Sequence, residues 1–423
     1  MSEAVGKVPL LEGRREWGAF LGIVLLLFAL HLGWLYREYR VFVNRPFFYT
    51  WGTVLEVKAK READRSSRVL KIRTDGGLIL WTRTFSREVQ VPDRVRLQLL
   101  SPNRIGFIDY LKGPYLPSRI KGLAPPAPTI HNRLGRWIAS QHRDREAAAF
   151  YRGIFLADAL PATLREKISA LGVSHLVALS GFHLGILWGG IFLLLRPLYR
   201  WGQRRRFPWR YDGLDLGSFS LLLLAGYLWL TGMPPSLLRS YAMLLFGWGA
   251  LLLGIEVFRF AFLLVVGTVL IVLFPGLALS WGFWLSMGGV YVIFLLLKYG
   301  PARESLWTRL LLLPVGIYWL MVPVGHTLFG TVNLWQNLSP LLSVLFIPFY
   351  PLAMLLHLLG QGALLDPALA WLWRLPGENM VSKTLPLWFL GLYMLVALAA
   401  VRWRRAFYLL LGLAGGSLIW IYG

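Results

Sequence analysis

Long apolar runs separated by short polar stretches occupy most of the chain. The first run, residues 17–36, carries no charge. Since a bilayer core of roughly 30 Å needs about 20 helical residues, this run predicts a retained membrane-spanning anchor. Beyond residue 172, apolar runs predict about nine further spans, some of them short or re-entrant. They cover residues 173–195, 214–231, 237–255, 257–274, 281–297, 306–322, 334–359, 385–401 and 407–422.

Residues 45–121 have a different pattern, in which short β-rich runs follow one another. The segments 69–74 and 78–84 flank Asp75-Gly76-Gly77, and such a turn tolerates the positive φ that tight hairpins require. The segments 48–57 and 89–99 supply further strands. Four or five short strands in about 75 residues are typical of a small OB-like β-barrel. An SH3-like barrel fits the same pattern.

The remaining stretch between these regions predicts a linker and a surface helix. Prolines at 114, 117, 125, 126 and 128 break the chain. Residues 130–171 then alternate apolar and basic side chains as in an amphipathic helix that lies on a membrane surface. The predicted organisation is residues 1–44 as cytoplasmic tail and anchor, 45–121 as β-domain, 122–172 as linker and surface helix, and 173–423 as polytopic domain. The fold class is therefore a polytopic α-helical membrane protein with an inserted small β-barrel (OB-like) soluble domain.

Composition and charge narrow the possible functions. The chain is 56% hydrophobic, which exceeds what a soluble protein can bury, and 44 Lys and Arg against 21 Asp and Glu favour polyanionic partners. The absence of cysteine excludes thiolate metal sites and disulfides. There is no GxxxxGK[ST] motif, so any ATP would be hydrolysed by another protein. We expect no catalytic residues, metal or cofactor, and hence no enzyme.

One short loop predicts the orientation of the chain in the membrane. Residues 196–210 contain six arginines and no acid, and short loops rich in Lys and Arg stay cytoplasmic. With one anchor before it, the β-domain then lies outside the membrane, at the cell exterior or in the periplasm. Its own positive charge argues against this side, but long domains cross largely regardless of charge.

Basic and aromatic side chains interleave in the β-domain, which has 16 basic and seven acidic residues. Cations neutralise phosphates, and exposed aromatic faces stack bases at about 1–3 kcal/mol each. The candidate nucleic-acid surface consists of Arg68, Lys71, Arg73 and Arg83 with Trp51, Trp81 and Phe85. The alternative is that the aromatics form the core and the charges are solvated or attracted to anionic lipid.

Polar residues interrupt the apolar runs at three places and are candidates to line a hydrated path. They are Ser174, His175, Ser180 and His183; Ser236 and Arg239; and Asn333 and Asn337. Each has an alternative: close helix packing through glycines at 181, 185 and 189, snorkelling of the arginine to headgroups, or interhelical hydrogen bonds. The two histidines of the first group lie about 80° apart on a helix, which disfavours a metal pair.

Isolated polar residues elsewhere are interpreted as interfacial. This group consists of Glu256, Arg259, His326, His357 and Asp366.

Four motifs occur along the chain in a fixed order: SHLVALSGFHLGIL (174–187), preceded by GIFLAD (153–158); TGMPPSLLRSYAM (231–243); GFWLSMGGVYVI (282–293); and NLWQNLSPLLSVLFIPFYPL (333–352). Together they resemble the ComEC family of competence proteins, the inner-membrane channels for incoming DNA in natural transformation. The basic insert after the first span agrees as well, and the resemblance covers about residues 17–360.

The sequence also departs from the pattern of that family. Phe182, Leu184, Ser240 and Trp284 replace residues common at those positions. Many members carry a C-terminal metallo-β-lactamase-like domain, whereas this chain ends in apolar runs without an HxHxDH-type ligand set. We therefore expect the form without a built-in nuclease.

The resemblance implies a channel that conducts single-stranded DNA into the cytoplasm across the bacterial inner membrane, with the β-domain in the periplasm. It implies membrane lipid, a periplasmic DNA receptor and a cytoplasmic ATP-driven translocase or helicase as partners. The alternatives are a transporter of small anions or lipid-linked substrates, and a non-conducting envelope scaffold.

Overall fold

The computed structural model describes residues 13–62, 65–85, 89, 91–100, 104–126, 129–257, 259–300, 306–377 and 381–422. Most of the expected cytoplasmic tail, residues 1–12, lies outside this part of the chain. The described residues divide into two compact units. One takes in Leu11–Arg136 and Thr268–Trp281, and the other takes in Trp137–Gly267 and Gly282–Gly423.

The first unit begins with a single long helix, α1 (Arg14–Val43). Its 30 residues include an apolar window with a mean hydropathy of 2.2, of which 0% is buried. An isolated helix with an apolar surface on all sides suits a lipid environment. A side-chain bond to the later segment of this unit joins His31 Nδ1 to the carbonyl oxygen of Val272 at 2.6 Å.

Five strands follow and form one antiparallel sheet with the order β3-β2-β1-β4-β5. They are β1 (Phe47–Glu62), β2 (Arg65–Thr74), β3 (Ile79–Thr84), β4 (Arg94–Leu100) and β5 (Ser118–Ala124), with a short helix α2 (Phe107–Lys112) before the last strand. Alternate side chains point inward, so that Val54, Ile72, Leu80 and Leu97 are fully buried in its core.

The predicted hairpin is confirmed, and the barrel stays a prediction. Strands β2 and β3 pair through Arg73 and Ile79 across the Asp75–Gly77 turn, where Gly77 has φ of 83°. The two edge strands approach each other near Trp81, whose N–H donates to the carbonyl of Pro114 at 2.8 Å and whose carbonyl accepts from Leu116 N–H at 2.8 Å. The described ladders nevertheless make an open sheet.

The second unit is helical. Its elements are the C-terminal part of α3 (Ile130–Ala139), then α4 (Arg145–Leu156), α5 (Ala162–Ala170), α6 (Ser174–Val177), α7 (Gly181–Arg206), α8 (Asp212–Leu230), α9 (Pro235–Leu252), α10 (Phe260–Leu273, its last residues in the first unit), α11 (Trp281–Tyr299), α12 (Leu306–Leu328), α13 (Ser339–Leu358), α14 (Asp366–Arg374), α15 (Leu387–Ala400) and α16 (Arg404–Tyr422). Two-residue strands, β6 (Thr331–Val332) and β7 (Val381–Ser382), pair with each other.

Each of the nine predicted apolar runs contains a helix. Among the described residues, seven helices including α1 are long and apolar enough to cross a membrane. Three of the predicted spans, in α9, α10 and α15, are shorter apolar helices of 10–17 residues. The chain is a multi-pass membrane protein by the length and composition of its helices.

Residues 130–170 fold as three helices where one amphipathic helix was expected. Asp144 interrupts the segment because its carboxylate accepts from Glu146 N–H at 3.1 Å and so caps a new helix, α4. Ala157, with φ of 64°, then ends α4, and Pro161 precedes α5. Phe150 on α4 packs on Trp373 of α14 with ring centroids 5.6 Å apart.

Candidate functional site

The outward face of the sheet collects most of the predicted nucleic-acid residues. The register pairs Lys71 with Trp81, and both lie on the face opposite the core. Arg73, Arg83 and Trp51 have the same outward parity along their strands. These predicted cationic and aromatic side chains therefore lie on the outward face of three neighbouring strands, β1, β2 and β3.

Arg68 lies apart from this set. It pairs with Thr84 in the register and so has the inward parity of Leu70 and Ile72. Its guanidinium donates to the carbonyl of Val89 at 3.3 Å. The structure therefore gives Arg68 a structural contact on the core side and leaves the outward face to the other candidates.

The aromatic rings on the outward face already have cationic neighbours. Lys58 and Lys71 lie 4.8 and 5.3 Å from the ring centre of Trp81, and Arg94 lies 5.6 Å from that of Trp51. Phe85 is 61% exposed, with Arg83 5.2 Å from its ring centre. A base that stacks on the exposed Phe85 would compete with one guanidinium, whereas stacking on Trp81 would compete with two ammonium groups.

Acidic groups compensate part of this positive charge. Arg94 forms an ion pair with Asp75 at 2.6 Å, and Lys58 lies 3.6 Å from Glu56. Burial lowers the pKa of Lys71, and the neighbouring Lys58 and Arg73 lower it further, while Glu56 raises it. Lys71 therefore gains by meeting a phosphate, which would favour its charged form.

In the helical unit, the three polar motifs come together around the start of α7. Gly181, the first residue of α7, faces Ser240 of α9, so that a Cβ added there would lie 3.5 Å from the Ser240 side chain. His175 of α6 lies 3.4 Å from the hydroxyl of Ser343 on α13. These contacts bring the motifs together in the fold, although His175 and Ser343 lie 168 residues apart along the chain.

His183 is the most enclosed member of the first motif, with 0% exposure. Its Nδ1 accepts from the backbone N–H of Ser180 at 3.3 Å, which leaves the proton on Nε2. The ring packs edge-on against Phe346 and Tyr350, with centroids 5.1 and 4.9 Å away. Nε2 has no hydrogen-bond partner among the described residues, so a buried donor remains unsatisfied.

Arg239 on α9 is the second buried donor. The residue is 7% exposed, and its guanidinium lies 6.0 Å from the ring centre of Phe283 on α11. Its Nε has no acceptor within the described parts of the chain. Snorkelling to the headgroups, the alternative for this side chain, is inconsistent with its burial.

The third motif is held by hydrogen bonds instead. Asn333 donates to the carbonyl of Pro376 at 3.2 Å and accepts from Trp335 N–H at 3.0 Å. Asn337 accepts from the Tyr318 hydroxyl at 3.0 Å and donates to the Leu334 carbonyl at 3.0 Å. Both predicted channel-lining amides therefore have structural partners.

A tight turn joins this third motif to the first. Gly172 adopts φ of 69°, and a Cβ there would lie 3.2 Å from Cβ of Gln336. The carbonyl of Gly172 accepts from the Ser339 hydroxyl at 3.0 Å, and Gln336 donates to the Ser169 carbonyl at 3.3 Å. The glycine allows both the left-handed turn and the close approach.

One alternative interpretation of these motifs needs correction. Close packing through the glycine repeat holds at Gly181 only, because a Cβ added at Gly185 or Gly189 would meet nothing within 4 Å among the described atoms. Ser236 lies in the first turn of α9, which begins at Pro235, and its carbonyl accepts from the Ser240 hydroxyl at 2.9 Å. Among the eight predicted lining residues, Ser174 and His175 form an exposed pair, whereas His183 and Arg239 form a buried pair.

Sequence reasoning missed a buried histidine pair. His142 Nδ1 lies 2.9 Å from the carboxylate of Asp366, and its Nε2 lies 3.0 Å from Nε2 of His357. His357 is 2% exposed, so its interpretation as interfacial is wrong. The Tyr151 ring stacks on His142 with centroids 4.7 Å apart. These contacts fasten the segment before α4 to α13 and α14, and no local pattern signals a pair 215 residues apart.

The described residues contain no group of three or more His, Cys, Asp and Glu side chains arranged to hold a metal ion. What the site offers chemically is hydrogen-bond donation. Two neighbouring helices, α7 and α9, each present a buried N–H without an acceptor among the described residues. In an apolar surrounding such donors favour water or an anionic oxygen.

Comparison with known proteins places the helical unit in a family. A family model described as "Competence protein" matches residues 157–407. The uncharacterized protein YcaI of Escherichia coli (strain K12) is 27% identical over 220 residues, which are 48% of this chain and 28% of that protein. An uncharacterized protein of Aquifex aeolicus (strain VF5) is 27% identical over 193 residues, 45% of this chain and 42% of that protein.

The chain thus matches less than half the length of either relative. No solved structure matches the chain. The matched range contains the polar residues around the start of α7 and the helices that hold them. On this match, the chain belongs to the ComEC-type competence protein family.

Proposed function

We propose that this protein conducts one strand of DNA across the bacterial inner membrane during natural transformation. Membership of the competence family supports a role in DNA uptake. The multi-pass helical unit supplies the membrane part, and the six arginines of residues 196–210 favour a cytoplasmic position for that loop. With that orientation the basic β-domain lies in the periplasm.

The observation that carries the proposal is the pair of buried donors. Arg239 Nε and His183 Nε2 are enclosed, and neither has an acceptor among the described residues. A buried cation without a carboxylate partner is costly in a structural role. The oxygen atoms of a passing phosphate would satisfy both groups, and charge-assisted bonds of this kind are strong.

The arrangement of the lining residues suggests that the path opens and closes. Ser174 and His175 are exposed, whereas His183 is enclosed by Phe346 and Tyr350. For a strand to reach His183 and Arg239, the start of α7 must separate from α13. We infer that Ser174, His175 and Ser180 lie at the entry of the path, that His183, Ser236 and Arg239 lie at its narrow part, and that Asn333 and Asn337 hold its wall.

The β-domain is proposed to collect DNA before transport. Its outward face combines Lys71, Arg73 and Arg83 with Trp51, Trp81 and Phe85, which suits a phosphate backbone and unstacked bases. The backbone N–H and the carbonyl of Trp81 both form hydrogen bonds with the segment that leads into β5. These bonds bring the two edges of the sheet together and favour OB-like closure. A periplasmic receptor would deliver the DNA, and an ATP-driven cytoplasmic translocase or helicase would pull the strand.

The test replaces Arg239 in the full-length protein. Arg239→Leu removes the buried cation and should preserve or raise the unfolding temperature, since replacing a buried charge by an apolar residue is often neutral or stabilising. Entry of labelled DNA into the cytosol should fall roughly 10- to 100-fold, because a hydrogen bond to a charged group contributes about 1.5–3 kcal/mol. Arg239→Lys should retain part of the uptake. DNA arriving in the periplasm should not change.

The control is Arg405→Leu, which removes an exposed arginine at the start of α16. It should leave cytosolic uptake within about twofold of the parent, as expected for a surface site. Normal uptake by Arg239→Leu, at parental protein level in the membrane, would refute the proposal. Normal DNA uptake together with lost flux of a small anion would favour the small-anion transporter instead.

A further inference from the structure

A second cationic feature lies at the other end of α7 and plays no part in the proposed conduction. Six arginines, those at 196, 200, 204, 205, 206 and 210, occupy the last turns of α7 and the loop that follows. Two aspartates, Asp212 and Asp215 at the start of α8, are the acids that face them. This end of the helix is therefore strongly positive after its ion pairs are taken into account.

The ion pairs divide these arginines into two classes. Asp212 accepts from the Nε groups of Arg196 and Arg200 at 2.9 and 2.7 Å, and Asp215 accepts from Arg210 at 2.5 and 2.7 Å. These three arginines are thereby fixed in position. The other three are exposed: Arg205 lies 4.5 Å from the ring centre of Trp201, and Arg204 and Arg206 have no hydrogen bond or ion pair with any described residue.

Two adjoining cavities are built on this framework. The first has a volume of about 430 Å³ and is lined by Arg200, Gln203, Arg204, Pro208, Arg210, Tyr211 and Asp212, whose carboxylate is bonded to Arg196 and Arg200. The second has a volume of about 340 Å³ and is lined by Pro197, Arg200, Trp201, Arg204 and Arg205. Both are clefts open to the surface. Arg200 and Arg204 line both of them, so the two clefts adjoin at these arginines.

The surroundings place these cavities at the level of lipid headgroups. Leu193, Leu194 and Leu198 on α7 are 72, 80 and 68% exposed, as expected for side chains that face acyl chains. Arg204 lies six residues beyond Leu198, about 9 Å along the helix axis. Trp201 and Trp209 are 61 and 76% exposed beside the arginines. Exposed tryptophans next to basic residues at a helix end are typical of the membrane interface.

We propose that these two cavities form a site for an acidic phospholipid that carries two phosphates, of the cardiolipin class. One phosphodiester lies in each cavity, with Arg200 and Arg204 between them and Arg210 and Arg205 on the outer sides. The general attraction of a basic loop to an anionic membrane would need neither the fixed pairs with Asp212 and Asp215 nor two cavities that share their central arginines. A lipid headgroup and a soluble phosphate compound would both present a phosphate anion to these arginines. The exposed leucines beside the site favour a lipid as the source of that phosphate.

The test uses the full-length protein purified in detergent and titrated with cardiolipin, and bound lipid is counted by native mass spectrometry. Arg204→Gln removes a cation from both cavities and should weaken cardiolipin binding about tenfold, as expected for the loss of one bond between charged groups. Arg206→Gln is the matched control, since it removes the same charge from the same turn but lines neither cavity. It should change the affinity less than about twofold.

Titrations with other phosphate compounds identify the source of the bound phosphate. Phosphatidylglycerol, with one phosphate, should bind more weakly than cardiolipin at equal phosphate concentration. Equal losses in Arg204→Gln and Arg206→Gln would overturn the proposal in favour of general charge attraction. Displacement of cardiolipin by soluble glycerol 3-phosphate would assign the site to a free anion. Displacement by a single-stranded oligonucleotide whose binding is lowered by Arg204→Gln would assign it to nucleic acid. Because both variants lie outside the conduction residues, failure here leaves the Arg239 experiment unaffected.

Discussion

Charged and polar groups have opposite surroundings on the sheet and in the polar motifs of the helical unit. On the sheet, Lys71 and Arg94 lie on the outward face beside aromatic rings, and Arg94 also pairs with Asp75. In the helical unit, His183 and Arg239 are buried, and each keeps a donor without an acceptor among the described residues. The first arrangement costs less, because these charges are only partly buried and acidic neighbours compensate them in part. The second costs stability and so indicates a function.

The comparison also separates two kinds of contribution to the proposed DNA transport. Under that proposal, the outward cations of the sheet should act additively and their effect should weaken with salt, as expected for binding without sequence preference. Enclosed donors act at one place and depend on the packing around them. Substitutions in the helical unit should therefore have larger effects on stability and transport than substitutions of equal size on the sheet.

The largest effect on stability is expected at His183. In His183→Ala, the loss of a buried ring between Phe346 and Tyr350 should lower the free energy of unfolding by about 3 kcal/mol, the cost of a large cavity. His175→Ala is the control within the same motif, since His175 is exposed. It should cost less than about 1 kcal/mol. Titration with SDS in mixed micelles measures both, and equal losses would remove the distinction between the exposed and the buried pair.

The next effect is expected at the turn that joins two of the motifs. Gly172→Ala should cost about 1–2 kcal/mol for its left-handed backbone, and more because Gln336 lies 3.2 Å from the added Cβ. Gly360→Ala provides the matched control, because Gly360 has φ of 74° and nothing within 4 Å of an added Cβ. The difference between the two losses measures the packing of this turn against Gln336. If the two variants lose equal stability, that packing contributes nothing.

The sequence predicted the elements of this fold better than the contacts between them. Every predicted apolar run holds a helix, and the hairpin forms between the two expected strands around the Asp75–Gly77 turn. Hydrophobic runs and glycine turns are local signals, and local signals suffice to predict local structure. The split of residues 130–170 into three helices was also encoded locally, in the cap at Asp144 and in Pro161, but the amphipathic pattern masked it.

The candidate sites show the same limit more sharply. Arg68 and Lys71 are three residues apart on one strand, so the two-residue period of a strand already assigns them to opposite faces. The strand period alone is therefore enough to separate Arg68 from the outward candidates. By contrast, nothing local predicts that His142 meets His357, or that Arg239 is buried beside Phe283. These contacts depend on how helices from distant parts of the chain pack together, which a single sequence does not specify.

A smaller effect is expected for the aromatic side chains of the sheet. Phe85→Ala should weaken binding of single-stranded DNA by about 1–2 kcal/mol, because an exposed ring can stack a base. Trp81→Ala should weaken it less, since Lys58 and Lys71 already lie near that ring. Fluorescence anisotropy of a labelled oligonucleotide measures both in the full-length protein. Trp403→Ala, which removes an exposed ring of the helical unit, serves as control. A larger loss in Trp81→Ala than in Phe85→Ala would contradict this order.

The smallest effect, and the one that tests the sheet most directly, is a change in salt dependence. For single-stranded DNA the logarithm of the binding constant falls with the logarithm of salt by about 0.7 for each phosphate neutralised. Lys71→Gln should therefore reduce that slope by about 0.7, because Lys71 lies on the outward face. Arg68→Gln removes an equal charge from a side chain of inward parity that donates to Val89, and it should leave the slope unchanged. The pair separates a phosphate contact from the overall charge of the β-domain: equal slopes in the two variants would mean that net charge alone attracts the strand and that the outward face has no special role.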